Sequence, residues 1–389
     1  MQGILNAPEI RYVLFHLFQH FDIDTSYRLQ MHEQSRLLDL HCDSLRVEFP
    51  LSAQALDVQQ IRWLDSIPVL FPLAHEAKFY STDGKNLRFS HDLLKSAFYL
   101  LSGLQEYNAP YHDHYDRFPF ENSIQKKLGI IHKPVVNYYF EIITSALEQF
   151  CRDQGIPFRR KSLSEQFVFM LTHDIDLINA YDCNETGFKI KQFLGLAKRP
   201  YSKWKGFKVM LKHIGGFLFF PVVGNPYWTF PFLHKIATRY NLKATYFFLE
   251  KDGRHSDSYY KFNDRRILRI MRKLNSKGYE IALLGTRRSA NDENAFLTTY
   301  TNLQNVYPEP IDGVRQHTLR YFAPYTARFW QKAGIKYDTT LGFAAHEGFR
   351  NSYCYPFKLY DFEKEEMIDV WEFPLNVMDL TLFDYRNLS

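Results

Sequence analysis

The sequence is 389 residues long, with 46% apolar and 17% aromatic residues and a formal net charge of +5. A chain of this length and apolar content can bury more than one core, so we expect two folded domains, and a disordered or fibrous protein is excluded. The basic excess is small and comes with no RNP or zinc-finger motif, so we expect no nucleic-acid partner.

The cysteines and the apolar runs predict a cytoplasmic protein. The cysteines are widely spaced and form no CxxC pair, which favours neither a disulfide framework nor a zinc ribbon. The first residues lack the basic region and cleavage site of a signal peptide. The best apolar run, residues 215–224, is shorter than the roughly 18 residues that a membrane span needs.

Residues 1–160 have the pattern of a smaller α+β accessory domain. Apolar residues recur at three- and four-residue steps from Ile10 to Phe21, behind Pro8, which predicts an amphipathic helix with proline in its first turn. Short strands are expected within residues 62–74 and 85–90, and a buried helix over residues 92–107.

Residues 161–389 change to apolar runs that alternate with amphipathic helices. Residues 167–176, 244–250 and 279–285 are predicted strands, and the helix before the third ends near Gly278, where a C-terminal cap belongs. This alternation predicts βαβ units and parallel strands, with functional groups at the carboxyl ends of the strands.

A basic insertion interrupts this second domain at about residues 186–225. No Asp or Glu occurs from Thr186 through Leu249, whereas eight Lys or Arg residues lie between Lys189 and Lys212, interleaved with apolar residues. A basic amphipathic helix of this kind could contact an anionic membrane or a lipid-linked glycan, which would place the protein at the inner membrane surface. The alternative is a helical insertion that faces water.

The first predicted strand of the second domain ends in the sequence Thr172-His173-Asp174-Ile175-Asp176. The two Asp side chains lie two residues apart and project from the same side of an extended segment. One carboxylate could bind a divalent cation while the other accepts a proton from water. The alternative is a helix N-cap with a turn residue.

The order of several segments resembles the polysaccharide deacetylases of the NodB-homology (carbohydrate esterase 4-like) type, in a bacterial branch with an accompanying N-terminal domain. The segments are LTHDID, NPYWTFPFLHKIATRYNLKATYFFLE, YEIALLG, DGVRQHTLRYFAP, AGIKYDTTLGFAAHEGFRNSYCYPF and WEFPLNVMDLTLFDY. The resemblance implies a distorted (β/α) barrel, a divalent metal such as zinc, and removal of an acetyl group from an N-acetylated sugar of a cell-surface polysaccharide or its glycolipid precursor.

Carried over by position, Asp174 resembles the catalytic base, Asp176 the metal-binding Asp, and Arg315 the Arg that orients the base. His317 follows Arg315 by two residues, so both should point the same way from a strand. It is therefore a candidate metal ligand or general acid. The alternative for His317 is a hydrogen-bonded barrel histidine.

One position departs from the family pattern. The histidine expected after the Glu280-Ile281 stretch falls on Leu284, which cannot bind a cation. Arg287 or Arg288 could instead neutralise the two Asp side chains. A second interpretation is therefore a catalytically inactive, glycan-binding or regulatory protein, and a third is a membrane-surface or partner-docking scaffold built on the basic insertion.

Other residues are weaker candidates. His255, and His346 with Glu347, could complete a metal site, although as loop residues they are expected to face water. Residues 111–117 are rich in His and Asp, and we expect them to pack between domains. Tyr353 and Tyr355 are predicted contacts to the sugar, because sugar rings stack on aromatic side chains. Arg287 is also a predicted substrate-binding residue.

Overall fold

The computed structural model shows a mixed α/β fold with several sheets. It describes residues 6–23, 27–32, 35–42, 45–73, 78–107, 109–181, 183–198, 202–219, 224–253 and 258–388. The chain forms two compact units: unit 1 contains residues 1–167 and 318–389, and unit 2 contains residues 168–317. Among the helices in these ranges, none combines the length and apolarity needed to cross a bilayer.

Unit 1 begins with the predicted helix, α1 (Ala7–Leu17). Asn6 and Glu9 form a capping box: the Asn6 side chain accepts from the Glu9 amide at 3.0 Å, and the Glu9 carboxylate accepts from the Asn6 amide at 2.8 Å. These contacts satisfy amide groups that a helix start leaves unpaired. The helix ends before Phe21, which belongs to the first strand.

Short strands and helices follow up to residue 160. Strands β1 to β9 are Phe21–Ile23, Tyr27–His32, Leu37–Cys42, Leu45–Pro50, Arg62–Leu64, Ile67–Val69, Tyr80–Thr82, Asn86–Phe89 and Phe158–Arg160. Helices α2 to α5 are Leu93–Leu101, Leu104–Tyr107, Ile124–Leu128 and Val135–Asp153, with 3₁₀ turns at Val58–Gln60 and Phe120–Asn122. The strands form a five-stranded sheet in the order β2-β3-β4-β8-β7 and the pairs β1-β9 and β5-β6.

The predicted elements of this region are present with changed bounds. Residues 62–74 contain the antiparallel β5–β6 pair, and β8 lies within residues 85–90. The helix predicted over residues 92–107 is divided into α2 and α3, because Gly103 has a φ of 73° that an α-helix does not accommodate.

The part of unit 2 that the structure describes contains four parallel strands in the order β10-β11-β12-β13. They span Leu171–Ile175, Ala244–Leu249, Glu280–Gly285 and Gly313–Gln316. The predicted parallel pairing is therefore confirmed. The first strand is shorter than predicted, since residues 167–170 precede it and all four side chains are exposed.

Five helices lie in the described residues of unit 2. Helices α6 to α10 span Cys183–Leu194, Lys203–Leu218, Phe230–Arg239, Arg265–Asn275 and Glu293–Gln304, and a 3₁₀ turn spans Arg288–Ala290. The basic insertion contains α6 and α7, whose Phe193 and Phe207 rings lie 5.6 Å apart. Gly216 in α7 faces the Tyr181 ring, where an added Cβ would meet ring carbons at 2.4 Å. Only glycine permits this approach.

The chain then returns to unit 1. Helix α11 (Tyr325–Ala333) precedes β14 (Tyr337–Asp338), β15 (Phe357–Asp361) and β16 (Glu366–Glu372), followed by a π-helical turn at Thr381–Tyr385. Strand β16 pairs in parallel with β14 and antiparallel with β15.

Residues from both ends of the chain are joined within unit 1. The buried Arg350 guanidinium donates to the Glu106 carboxylate at 2.8 Å, and the Tyr12 hydroxyl donates to the Lys358 carbonyl at 2.8 Å. The division into domains at residue 160 stays a prediction, but residues on both sides of it contribute to unit 1.

The described strands form open sheets, and no closed ring of strands is found among them. The closed barrel implied by the resemblance is thus not seen in this part of the chain. What the structure supports is the coarser fold class, α/β with parallel strands in unit 2.

Candidate functional site

Asp174 and Arg315 form an ion pair in unit 2. Arg315 Nη1 lies 2.7 Å from Asp174 Oδ1, and Nη2 donates to Thr172 Oγ1 at 2.8 Å. The same guanidinium lies over the Phe247 ring, 4.6 Å from its centroid. Arg315 is only 5% exposed. Two hydrogen bonds and a cation–π contact therefore fix the orientation of this buried cation, and with it the Asp174 carboxylate.

This ion pair joins the first and the last of the four described parallel strands in unit 2. Asp174 lies on β10 and Arg315 on β13, with two strands between them in the hydrogen-bonded order. Neighbouring strands are spaced by about 4.8 Å, so a flat sheet would separate these backbones by about 14 Å. The two side chains project from the same face of the sheet and meet at 2.7 Å, with the Arg315 guanidinium over the Phe247 ring of the strand next to β10. The carboxyl ends of β10 and β13 therefore share a site.

Asp176 and His317 form a second pair, with His317 Nδ1 3.6 Å from Asp176 Oδ1. This separation is in ion-pair range but longer than a hydrogen bond. The two residues that follow His317, Thr318 and Leu319, have φ angles of 61° and 58°. Left-handed backbone at non-glycine residues is costly and is concentrated at functional sites.

The residues present do not complete the three-ligand metal centre that the resemblance implies. Asp176 and His317 offer two donors, whereas Asp174 is bound by Arg315. The third position, Leu284, is fully buried and pairs with Arg315 between β12 and β13. In the described ranges, three donors within metal-binding reach of one another are found in unit 1 instead. A catalytic zinc normally has three protein ligands.

Arg288, one of the two arginines that follow β12, pairs with residues other than the two Asp side chains that we considered from the sequence. Both Arg287 and Arg288 are exposed, and the Arg288 guanidinium lies 4.0 Å from Asp252 and 3.7 Å from Asp292. The cation that pairs with Asp174 is Arg315. The neutralising arginine thus comes from β13 rather than from the segment after β12. Arg287 as a sugar contact stays a prediction.

The predicted aromatic sugar contacts lie in unit 1. Tyr353 is 1% exposed, and its hydroxyl lies 3.1 Å from His20 Nε2. Its ring contacts Phe140, Phe357 and Tyr355, so it is a core residue with no surface for a sugar. Because burial excludes solvent from this side chain, the expectation of a sugar contact is corrected for Tyr353. Tyr355 is partly exposed, and its role stays a prediction.

The segment 111–117 forms a compact turn within unit 1. The Asp113 carboxylate accepts from the Tyr115 and Arg117 amides and from Arg117 Nε, at 2.8–3.0 Å. Asp116 pairs with Arg320 at 2.8 Å. Asp113 and Asp116 therefore have structural partners. Arg320, the partner of Asp116, lies beyond the predicted domain boundary at residue 160.

His255 and His346 are the other histidines that we considered as metal ligands, both with expected positions in exposed loops. His255 lies outside the described residues. His346 and Glu347 do not face open water as expected, since their side chains are 18% and 22% exposed and lie beside His132 and Arg386. His132 and Arg386 were not identified from the sequence, because nothing in a sequence indicates which distant loops meet. Thr172 could have been identified, since it lies two residues before Asp174 and therefore on the same side of β10.

Comparisons with known proteins cover part of the chain. Residues 4–152 match the model of a family of unknown function, DUF7033. No curated protein matches the chain. A solved structure described as a putative polysaccharide deacetylase from Mycobacterium smegmatis is similar at 17% identity, with a TM-score of 0.29, over 55% of this chain and 61% of that chain.

These similarities do not establish a function, so the function has to be argued from the geometry of the site. The family match lies within the predicted N-terminal domain and ends before Asp174. The structural match spans less than two thirds of the other chain, and its TM-score is too low to support an argument about fold or activity.

Proposed function

We propose that unit 2 is a hydrolase that removes the acetyl group from an N-acetylated sugar of a cell-surface polysaccharide or its precursor. The observation that carries the proposal is the arrangement of two acid–base pairs, Asp174 with Arg315 and Asp176 with His317. Active sites of parallel α/β folds lie at the carboxyl ends of their strands, where these residues are found. The sequence resemblance gives the substrate class.

In this proposal Asp174 is the general base and His317 the general acid. Arg315 binds Asp174 Oδ1, so Oδ2 is the oxygen that accepts a proton from water. The water oxygen bonds to the acetyl carbonyl carbon and forms a tetrahedral oxyanion. When the carbon–nitrogen bond breaks, protonated His317 gives its proton to the leaving amine, and acetate and the free amino sugar are released. Asp176 stabilises the protonated imidazole of His317.

No step is assigned to a metal ion, because the described residues supply only two donors here. Asp176 and His317 are the residues that would bind such an ion, and Leu284 occupies the third position.

The test is acetate release from N-acetylglucosamine oligosaccharides by the full chain. We expect Asp174→Asn and His317→Gln each to lower the rate by at least about 100-fold, the usual contribution of a general acid or base. Asp312→Asn is the matched control, because Asp312 is exposed in the same unit. Equal rates in wild type, Asp174→Asn and His317→Gln would contradict the proposal.

A second candidate is a non-catalytic sugar-binding protein. It is favoured by the buried Leu284 in the ligand position and by Arg315, a fixed cation that compensates Asp174 without a metal. This candidate predicts that the same oligosaccharides bind to wild type and to His317→Gln with similar affinity and that neither protein releases acetate.

A third candidate is contact with an anionic membrane through α6 and α7. Large apolar side chains are exposed on this hairpin: Leu194 at 61%, Leu196 at 75%, Trp204 at 67%, Leu211 at 49% and Leu218 at 62%. Lysines accompany them in a stretch, Thr186 to Leu249, that contains no Asp or Glu, with Glu185 just before it lying 3.7 Å from Lys189. Apolar side chains that insert into a bilayer beside lysines that bind anionic headgroups are typical of interfacial helices.

A further inference from the structure

A second cluster of polar side chains lies in unit 1 and is independent of the proposed hydrolase site. It joins His132, from the loop between α4 and α5, to His346 and Glu347, from the loop before β15. One donor atom from each side chain lies within 4.8 Å of the other two. His132 Nε2 is 3.2 Å from Glu347 Oε1. Two imidazoles with one carboxylate form a common zinc ligand set.

Hydrogen bonding fixes the tautomer of His346. Its Nδ1 lies 2.8 Å from the Glu347 carbonyl oxygen, and because a carbonyl can only accept, Nδ1 carries the proton. The lone pair is therefore on Nε2. A hydrogen bond from the second ring nitrogen to a backbone carbonyl is the usual way in which proteins orient a metal-binding histidine.

A cation already lies where these donors converge. Arg386 Nη1 donates to His346 Nε2 and lies 3.0 Å from both Glu347 carboxylate oxygens. The cluster thus binds a positive charge, the Arg386 guanidinium, in this conformation.

The two loops are held together by backbone contacts. The Phe349 amide donates to the Ile131 carbonyl at 2.8 Å and joins the two loops. The Gly348 amide donates to the Asn376 carbonyl at 2.8 Å and joins the second loop to the segment after β16. Gly348 has a φ of 129°, and a Cβ at this position would lie 2.4 Å from the Ile131 carbonyl oxygen. Beneath the ligands, Phe118, Phe120, Ile131 and Phe343 form a buried apolar cluster. The backbones that carry the three ligands are therefore preorganised, as a binding site requires.

From this geometry we infer that His132, His346 and Glu347 bind a divalent transition-metal ion of the zinc class, and that the Arg386 guanidinium competes with the ion for the same lone pairs. The Arg386 side chain is 31% exposed and can swing into water when a metal binds. His132 is 61% exposed, so its ring can rotate toward the ion. Three protein ligands leave a fourth position for water.

The test is zinc titration by calorimetry of chelator-treated full-length protein, with cobalt absorption as a second measure of tetrahedral coordination. We expect one equivalent that is lost in Glu347→Gln and in His346→Gln but kept in His114→Gln, a control at an exposed histidine of the same unit. Asp176→Ala should keep this equivalent, which separates the site from the one in unit 2.

Arg386→Ala gives the sharpest outcome, because it leaves all three ligands in place. Removing the competing cation should strengthen zinc binding by about tenfold or more, a gain that misfolding cannot produce. Unchanged or weaker binding in Arg386→Ala would overturn the competition, and zinc binding that survives in both Glu347→Gln and His346→Gln would overturn the site.

Discussion

Arg315 reaches Asp174 across two intervening strands and binds it at 2.7 Å, while its guanidinium lies on the Phe247 ring. A double-mutant cycle of Arg315→Met and Asp174→Asn should give a coupling free energy of about 1–3 kcal/mol, as expected for directly contacting residues. Chemical denaturation of the four proteins measures it. An additive cycle would show that the two charges do not interact in solution.

Arg315→Lys should not restore the wild-type stability. A lysine ammonium cannot donate to Asp174 and Thr172 in the same fixed geometry or lie flat on Phe247. We expect a loss of about 1–2 kcal/mol relative to wild type, measured by the same denaturation. Stability equal to wild type would mean that charge alone matters at this position.

Leu284→His should install the missing third donor of unit 2. Leu284 pairs with Arg315 in the register of β12 and β13, so its side chain projects to the face that carries Asp174. In a Glu347→Gln background, we expect Leu284→His to bind one zinc ion and to lose it again in Leu284→His with Asp176→Ala. Replacing the buried leucine should cost about 2–4 kcal/mol.

Leu283→His is the control for this design. Leu283 is equally buried, but as the neighbouring strand residue it projects to the opposite face. It should lose similar stability without gaining zinc. Equal zinc binding in both variants would show that the ion does not use the Asp174 face.

His16 should make the protein sensitive to acid. It is fully buried in unit 1, and neither ring nitrogen has a hydrogen-bond partner among the described residues. Burial lowers the pKa of His16 to about 3. Below about pH 6.5, His16 is protonated in the unfolded chain but stays neutral in the folded protein. The free energy of unfolding therefore falls as the pH falls from about 6.5 toward 3.

His16→Phe should remove this loss. Between pH 6.5 and 4 we expect the wild type to lose about 3 kcal/mol more than the variant, from urea denaturation at both values. His112→Phe, at an exposed histidine, is the control. If wild type and His16→Phe respond equally to acid, His16 is protonated in the folded protein.

Glu9 should have the opposite pH dependence. Burial raises the pKa of Glu9 to about 7. The folded state retains a proton that the unfolded chain releases near pH 4.5, so this stabilising contribution is complete below 4.5 and is lost as the pH rises through 7. Glu9→Gln keeps the oxygen that accepts from the Asn6 amide. The variant should lack a decline of about 3 kcal/mol between pH 4.5 and 7.5, measured by denaturation at both values.

The α6–α7 hairpin should bind anionic vesicles. Lys205→Glu combined with Lys208→Glu should lower flotation with phosphatidylserine-containing vesicles by at least about tenfold, since each basic residue contributes about 1 kcal/mol. Lys273→Glu combined with Lys277→Glu makes the same change of net charge at exposed positions outside the hairpin. Equal loss in both pairs, or binding to pure phosphatidylcholine, would contradict a site on the hairpin.

Sequence periodicity was sufficient to predict the strands of unit 2. Long apolar runs, such as residues 244–249 and 280–285, occur between helices with clear apolar faces. The two-residue spacing in Asp174–Asp176 and in Arg315–His317 suggested that each pair projects to one side, although Asp176 and His317 lie just beyond the ends of β10 and β13. The contact between Asp174 and Arg315 was implied by the resemblance, since periodicity does not reveal which strands lie close together.

The remaining differences between the sequence-based predictions and the structure arise from tertiary contacts. Strands β2 to β4 were not predicted, because much of their stabilisation comes from pairing with one another. Tyr353 is of a residue type that often contacts sugars, but residues more than 200 positions away, such as Phe140 and His20, bury it. His132 and His346 meet for the same reason, which no local pattern records.

The order of the units along the chain has a consequence for synthesis on the ribosome. Unit 2 is encoded as one continuous stretch, residues 168–317, whereas unit 1 is completed only by residues after 317. Its contacts between Glu106 and Arg350 and between Tyr12 and Lys358 join residues 244 and 346 positions apart. Domains generally fold as units while the chain emerges from the ribosome. All residues of unit 2 are synthesised before unit 1 is complete, so the apolar faces of α1 and α2 stay exposed until their C-terminal partners are made. Nascent unit 1 is therefore the part that needs protection from aggregation.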